Sequence, residues 1–285
     1  MQLFTQTITN MLMLAAIYIL VGLGFAFLFN MLAFFNIGHG AIYMVSGYLG
    51  YLLIAKLGLN PWLGIVAVVF AMGAVGVILE RVAFRPFVAD FNSQVMIGVA
   101  LIVILTTSIN ITVGTQTFVI PQLVQGVAKV GSFSVSWDRI LVVIVGAVVL
   151  IATLLFVKRT RSGQQMLAIS QNMEGALLQG ISVHRISALA SALGCGLAAI
   201  AGVVMGSMYA LSPFMGDSIL TKILMLVVIA GAGSIGGVFI TGLIMGVLYA
   251  GLPMLLPGSA SDAVAAIIVC LILLVRPQGF FGHEV

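Results

Sequence analysis

Between Ile8 and Ala55 the chain carries two long apolar stretches and not one Asp, Glu, Lys or Arg. The first, Ile8 to Asn30, has about the length that a helix needs to cross a bilayer, and the second, Met31 to Ala55, follows with no charge between them. The rest of the chain is of the same kind: 62% of its residues are hydrophobic and 6% charged, with a mean hydropathy of +1.29. That is the composition of an integral membrane protein, not of a soluble protein with a large core. No bulky soluble domain is left once the spans are taken out, so residues 1–285 read as a single transmembrane domain. The fold class is all-α and polytopic. The first Lys or Arg is Lys56, so the amino terminus lacks the basic region of a cleavable signal peptide, and the first segment is expected to stay in the mature protein.

The two stretches are parted by FNIGHGAIYMVSGY, where Asn36, Gly38, His39 and Gly40 interrupt the hydrocarbon pattern. Unwound backbone at membrane depth survives only where protein or a water-filled cavity surrounds it, and glycine-broken segments point to the central site of transporters. His39 is thereby a candidate for the transport path. A lone histidine near a turn serves as readily as a structural residue that caps a carbonyl or meets the interface, and the residues leave both readings open.

A turn at Asn60-Pro61 precedes a third span, Trp62 to Leu79, which ends in the short loop ERVAFRPFVAD. Val95 to Val113 and Ile140 to Val157 are further spans. Between them Gly114 to Arg139, with its glycines and short alternating apolar runs, reads as an external loop with hairpin character. The next span places Ala190, Gly194, Ala198, Gly202, Gly206 and Ala210 at intervals of four, a small-residue face that lets backbones approach closely in lipid. This helix belongs in the middle of the bundle or at a subunit contact. Ile219 to Ala230 and Val238 to Leu252 flank GAGSIGG, a glycine break whose likeness to the first hints at an internal repeat, and Gly242, Gly246 and Ala250 give another close-packing face. A last span, from Asp262, closes at Arg276-Pro277. About eight to nine membrane segments are expected in all.

One long polar passage, residues 158–186, orients these spans. Lys158, Arg159, Arg161 and Arg185 outweigh Glu174, and a short loop with such an excess is held in the cytoplasm. Ser162, with Gln165 three residues on, has the form of a capping box. Met166, Ile169, Met173, Ala176 and Leu177 recur at helical spacing until Gly180 offers a C-terminal stop. The spacing predicts one amphipathic helix, Gln165 to Gln179, outside the membrane. It is either an interfacial connector resting on headgroups or a docking helix for a cytoplasmic partner.

Several chemistries are excluded. The net charge of +4 does not imply nucleic acid, because the cations sit mainly beside span ends. Cys195 and Cys270 lie inside apolar spans without metal-ligand spacing and read as buried small hydrophobes. Lys56, Lys129, Lys158 and Lys222 are followed by Leu, Val, Arg and Ile, so no phosphate loop of the form GxxxxGK[ST] exists. No paired carboxylates sit within a span and no serine or cysteine has a base nearby in sequence, so neither an enzyme nor a cofactor in this chain is expected. A proton- or sodium-driven carrier would bury acids at its coupling site, and most acids here fall in loops or at span edges. A self-sufficient secondary transporter is therefore the second reading and a channel the third.

FNIGHGAIYMVSGY, ERVAFRP, the segment from Thr160 to Ile181, GAGSIGG and LLVRPQGFFG, in this order over nearly the whole chain, resemble the membrane permease of the branched-chain amino acid ABC importers. The resemblance implies a multi-pass subunit of a bacterial inner membrane that pairs with a second, homologous permease and binds two cytoplasmic ATPases, which use the ATP. Substrate would arrive from a periplasmic binding protein, and the expected activity is inward movement of a small polar solute such as a branched-chain amino acid. On this resemblance Asn36, His39, Gly40 and Gly47 match the first motif, on the substrate path. Gly163, Ala168, Glu174, Ala176, Gly180 and Ile181 match the ATPase-coupling pattern, with Met173 on the stripe of the predicted helix. Leu167 stands where the family commonly has an arginine.

Overall fold

The apolar stretches named above are helical over most of their described residues in the computed structural model, which describes residues 2–32, 35–88, 90–114, 116–130, 133–231 and 235–280. In chain order the helices are α1 (Gln2–Leu32), α2 (His39–Tyr51), α3 (Pro61–Leu79), α4 (Phe91–Val113), α5 (Trp137–Arg159), α6 (Arg161–Gln171), α7 (Met173–Leu178), α8 (Val183–Met208), α9 (Met215–Ala230), α10 (Ile235–Gly251) and α11 (Gly258–Val275). Among the described residues, six helices, those built on α1, α3, α4, α5, α8 and α10, are long and apolar enough to cross a membrane. The apolar helices α2, α9 and α11 are shorter.

The helix starts follow from local chemistry. Asn60 caps α3 by accepting the Trp62 N–H at 3.0 Å, with Pro61 in the first helical position, where its missing N–H costs nothing. Asp90 caps α4: it accepts the Ser93 hydroxyl at 2.5 Å and the Asn92 N–H at 3.1 Å. These bonds, the Ser93 side chain first, hold its carboxyl below the usual carboxylate range.

The expected loop ERVAFRP is instead helical. One π turn, Glu80–Phe84, and one 3₁₀ turn, Arg85–Phe87, carry α3 onward, and they do so because Glu80 is neutralised within the turn by Arg85. A second π turn, Leu52–Lys56, ends α2. The loop expected to be external does contain a hairpin, β1 (Val127–Val130) against β2 (Phe133–Ser136), antiparallel with Val127 opposite Ser136. The Ile120 N–H donates to the Gly206 carbonyl at 2.8 Å and the Leu211 N–H to the Phe118 carbonyl at 2.7 Å, which pins this loop over the end of α8.

Helices α1 and α8 form the centre: 83% and 72% of their spanning windows are buried, against 6% for α4. The small-residue face explains the position of α8. A Cβ added to Gly194 would lie 2.7 Å from the Gly24 carbonyl of α1, and one added to Gly202 would meet the Tyr43 carbonyl of α2. The face stops at Gly206, because Ala210 lies beyond the helix and is exposed. Gly242 and Gly246 pack on Ile19 and Ala15 of α1. Cys195 is buried as expected, but Cys270 is exposed on α11. The second glycine break falls partly on residues 232–234, outside the described residues. Its first glycine, Gly231, has φ +85°, and the closing motif folds back beside it through a Phe280 N–H bond to the Ile229 carbonyl at 2.7 Å.

Candidate functional site

The break between α1 and α2 is held from outside itself. Phe35 is set among aromatic rings, 6.0 Å from Phe25, 5.7 Å from Phe29 and 5.4 Å from Phe91. Its N–H donates to Gln94 Oε1 at 3.0 Å, while Gln94 Nε2 donates to the Phe87 and Val88 carbonyls at 3.3 and 3.0 Å. Gln94 thus satisfies an unwound backbone amide and a loop end together, as buried backbone requires. The sequence reading missed it, since a single Gln near a helix start has no distinguishing pattern.

Asn36 and His39 are both buried, with neither Asn36 Oδ1 nor either imidazole nitrogen in a hydrogen bond. His39 packs against Gly24 and the Phe25 ring, with ring centroids 6.0 Å apart. Asn36 lines a crevice of about 10 Å³ with Glu80, Ser191 and Cys195, about the room of one water. Gly40 and Gly47 are contact points: a Cβ on the first would meet the Gly216 carbonyl of α9, and one on the second would lie 3.1 Å from the Gly202 carbonyl of α8. So α2 rests on its neighbours through backbone, with an unsatisfied asparagine oxygen and imidazole at its start.

The sequence reading put Glu80 in a short loop and gave it no role. It is 1% exposed, and Arg85 binds it through two nitrogens while donating to the His184 carbonyl at the start of α8 at 3.3 Å. Among the described residues this is the ion pair of the structure.

The polar passage folds as two helices, not one. Thr160 caps α6, accepting the Gly163 N–H at 3.0 Å, in place of Ser162. Asn172 then leaves the helical region (φ −156°, ψ 100°), and its Oδ1 caps α7 by accepting the Gly175 N–H at 2.8 Å. An asparagine that can bond its own backbone competes with a continuing helix, and the apolar periodicity runs past the break unchanged. Gly180, at φ +75°, ends α7: its N–H reaches the Leu177 carbonyl and the Ile181 N–H the Ala176 carbonyl.

The predicted stripe divides accordingly. Met166, Ile169 and Ala176 are buried by this chain, and Gly163 seats α6 against the Phe156–Val157 backbone of α5. Leu167, Met173 and Leu177 are exposed, and Leu178 is 88% exposed. Ala168 and Ile181 are half-buried, and Glu174 is exposed. The pair therefore offers a row of uncovered apolar side chains at the charged end of the bundle. Among the described residues no group of three or more His, Cys, Asp or Glu is placed to hold a metal.

A polytopic helical bundle with a broken inner helix and a polar helix pair at one end has the build of a transport subunit. A family model described as the permease component of the branched-chain amino acid transport system matches residues 7–274, and the chain belongs to that family. It is 30% identical over 298 residues, 98% of this chain and 96% of the relative, to the high-affinity branched-chain amino acid transport system permease protein LivH of Salmonella typhimurium, and equally to that of Escherichia coli K12. The corresponding protein BraD of Pseudomonas aeruginosa is 28% identical over 295 residues, with the same coverage. No solved structure matches the chain.

Proposed function

We propose that the chain is the permease subunit of an ATP-driven importer in a bacterial inner membrane, forming with a second, homologous permease the path for a branched-chain amino acid. The family match over residues 7–274 carries the reading, and the uncovered row on α6 and α7 supports it as the seat of an ATPase. Two cytoplasmic ATPases use the ATP; this chain holds no cofactor. A periplasmic binding protein delivers substrate at the hairpin end. ATPase movement, passed through α6 and α7 into α5 and α8, biases two packings of the bundle, and Asn36 and His39 lie on the path that opens. A carrier working alone is less well supported, because the family model that matches describes a component of a transport system. Reconstitution in vesicles with the partner permease, ATPases and binding protein tests the proposal: L-leucine uptake should require ATP and both ATPase subunits. Uptake by this chain alone under a proton or sodium gradient would overturn it.

A further inference from the structure

At the hairpin end, between the start of α1, the hairpin, the first turn of α5 and the end of α8, lies a cavity of about 350 Å³, within the size range of small-molecule sites. Asp138 lines it and is only 1% exposed. Its Oδ1 is occupied, accepting the Leu123 N–H at 3.0 Å and that of Val124 at 3.4 Å, but Oδ2 is buried without a partner, as is the hydroxyl of Ser136, which also lines the cavity. Leaving a carboxylate oxygen buried and unpaired is costly, and a bound donor would relieve it. Arg139 also lines the cavity. Among the described residues it makes one hydrogen bond, to Asn10 Oδ1 at 2.8 Å, and no ion pair with Asp138, so most of the five guanidinium donors are unspent. A carboxylate oxygen without a donor and a cation with donors to spare thus belong to the lining of one cavity. Val127, Val135 and Met208 supply apolar lining.

This arrangement matches an α-amino acid with an aliphatic side chain. We propose that the cavity binds the free amino acid on entry, Asp138 and Ser136 taking the α-ammonium, Arg139 the α-carboxylate, and Val127, Val135 and Met208 contacting the side chain. The inference rests on the importer reading for its substrate class, but its test does not need the ATPases.

The test is saturation binding of radiolabelled L-leucine to the full chain in lipid nanodiscs, without binding protein. Saturable binding is expected, displaced by unlabelled L-leucine but not by 3-methylbutylamine or 4-methylpentanoate, each of which lacks one of the two charges. Asp138→Asn keeps an oxygen for the Leu123 N–H, and Arg139→Gln keeps a donor for Asn10, so both should fold with an unchanged thermal midpoint and bind roughly tenfold or more weakly. Met208→Trp, which narrows the cavity without touching a polar group, should also weaken binding. No saturable binding by the wild type overturns the site, as does binding within about twofold of wild type by both charge variants. So does an outcome in which they keep leucine but lose the liganded binding protein, since the pair is then a docking contact. Leucine binding without ATP-driven uptake would retain the site and sink the importer reading; ATP-driven uptake indifferent to both charge variants would do the reverse.

Discussion

Arg85 closes a fork on the Glu80 carboxylate, Nε to Oε1 at 3.1 Å and Nη2 to Oε2 at 2.8 Å. Removing the arginine strands a carboxylate that is 1% exposed, whereas the guanidinium itself is 32% exposed. Arg85→Ala should therefore cost roughly 3 kcal/mol, the low end of what breaking a buried pair costs, read as a lower thermal midpoint of the purified protein. Adding Glu80→Gln should restore much of the loss. Equal stability of Arg85→Ala and wild type would show that water reaches Glu80.

Gly202 tests the centre of the bundle. With the Tyr43 carbonyl of α2 directly against it, Gly202→Leu should destabilise by roughly 1–3 kcal/mol or more through overpacking and lower the yield of folded protein. Gly258→Ala is the control, because nothing lies within 4 Å of a Cβ there. Matching yields of the two variants would remove the close approach from the account of the fold.

His39 separates transport from packing. His39→Phe keeps an aromatic ring beside Phe25 and removes two nitrogens that have no hydrogen bond, so the thermal midpoint should hold or rise. If His39 lies on the path, uptake by the assembled importer should fall at the same time. Normal uptake with raised stability would make His39 a packing residue.

The apolar helices, the central small-residue helix and the hairpin were legible in the sequence, because length, apolarity and glycine spacing are local signals, although six of the eight to nine expected segments are long and apolar enough to span among the described residues. What was not legible depended on partners. ERVAFRP reads as a loop while its charges count separately, and only the wide turn that brings Arg85 onto Glu80 allows a helix there. The Gln165 to Gln179 helix was predicted whole because apolar spacing continues across Asn172, whose side chain breaks it through a bond to Gly175. Asp138 and Arg139 looked like a loop edge, since the cavity they line is made by four distant segments. The bond from Phe280 to Ile229, which brings the last family motif beside the start of the one before it, has no local signature at all.

The division of the coupling stripe sharpens the test of α6 and α7. Side chains buried within this chain, such as Met166, would report folding when changed, so the informative positions are those left uncovered, Met173 and Leu178 among them. If an ATPase groove covers this row, Met173→Asp places a carboxylate in an apolar contact, at a cost of a few kcal/mol when it has no partner. ATPase stimulation and uptake should both fall, while the liganded binding protein still docks at the opposite end. Gln171→Asp adds the same charge one position before the Asn172 break, at a polar exposed site, and should couple normally. Equal loss in the two variants would mean general repulsion near a basic segment and would discard the groove. Normal coupling in both, confirmed with Leu178→Asp, would leave α6 and α7 an idle connector, and the ATPase would have to seat elsewhere on the charged end of the bundle.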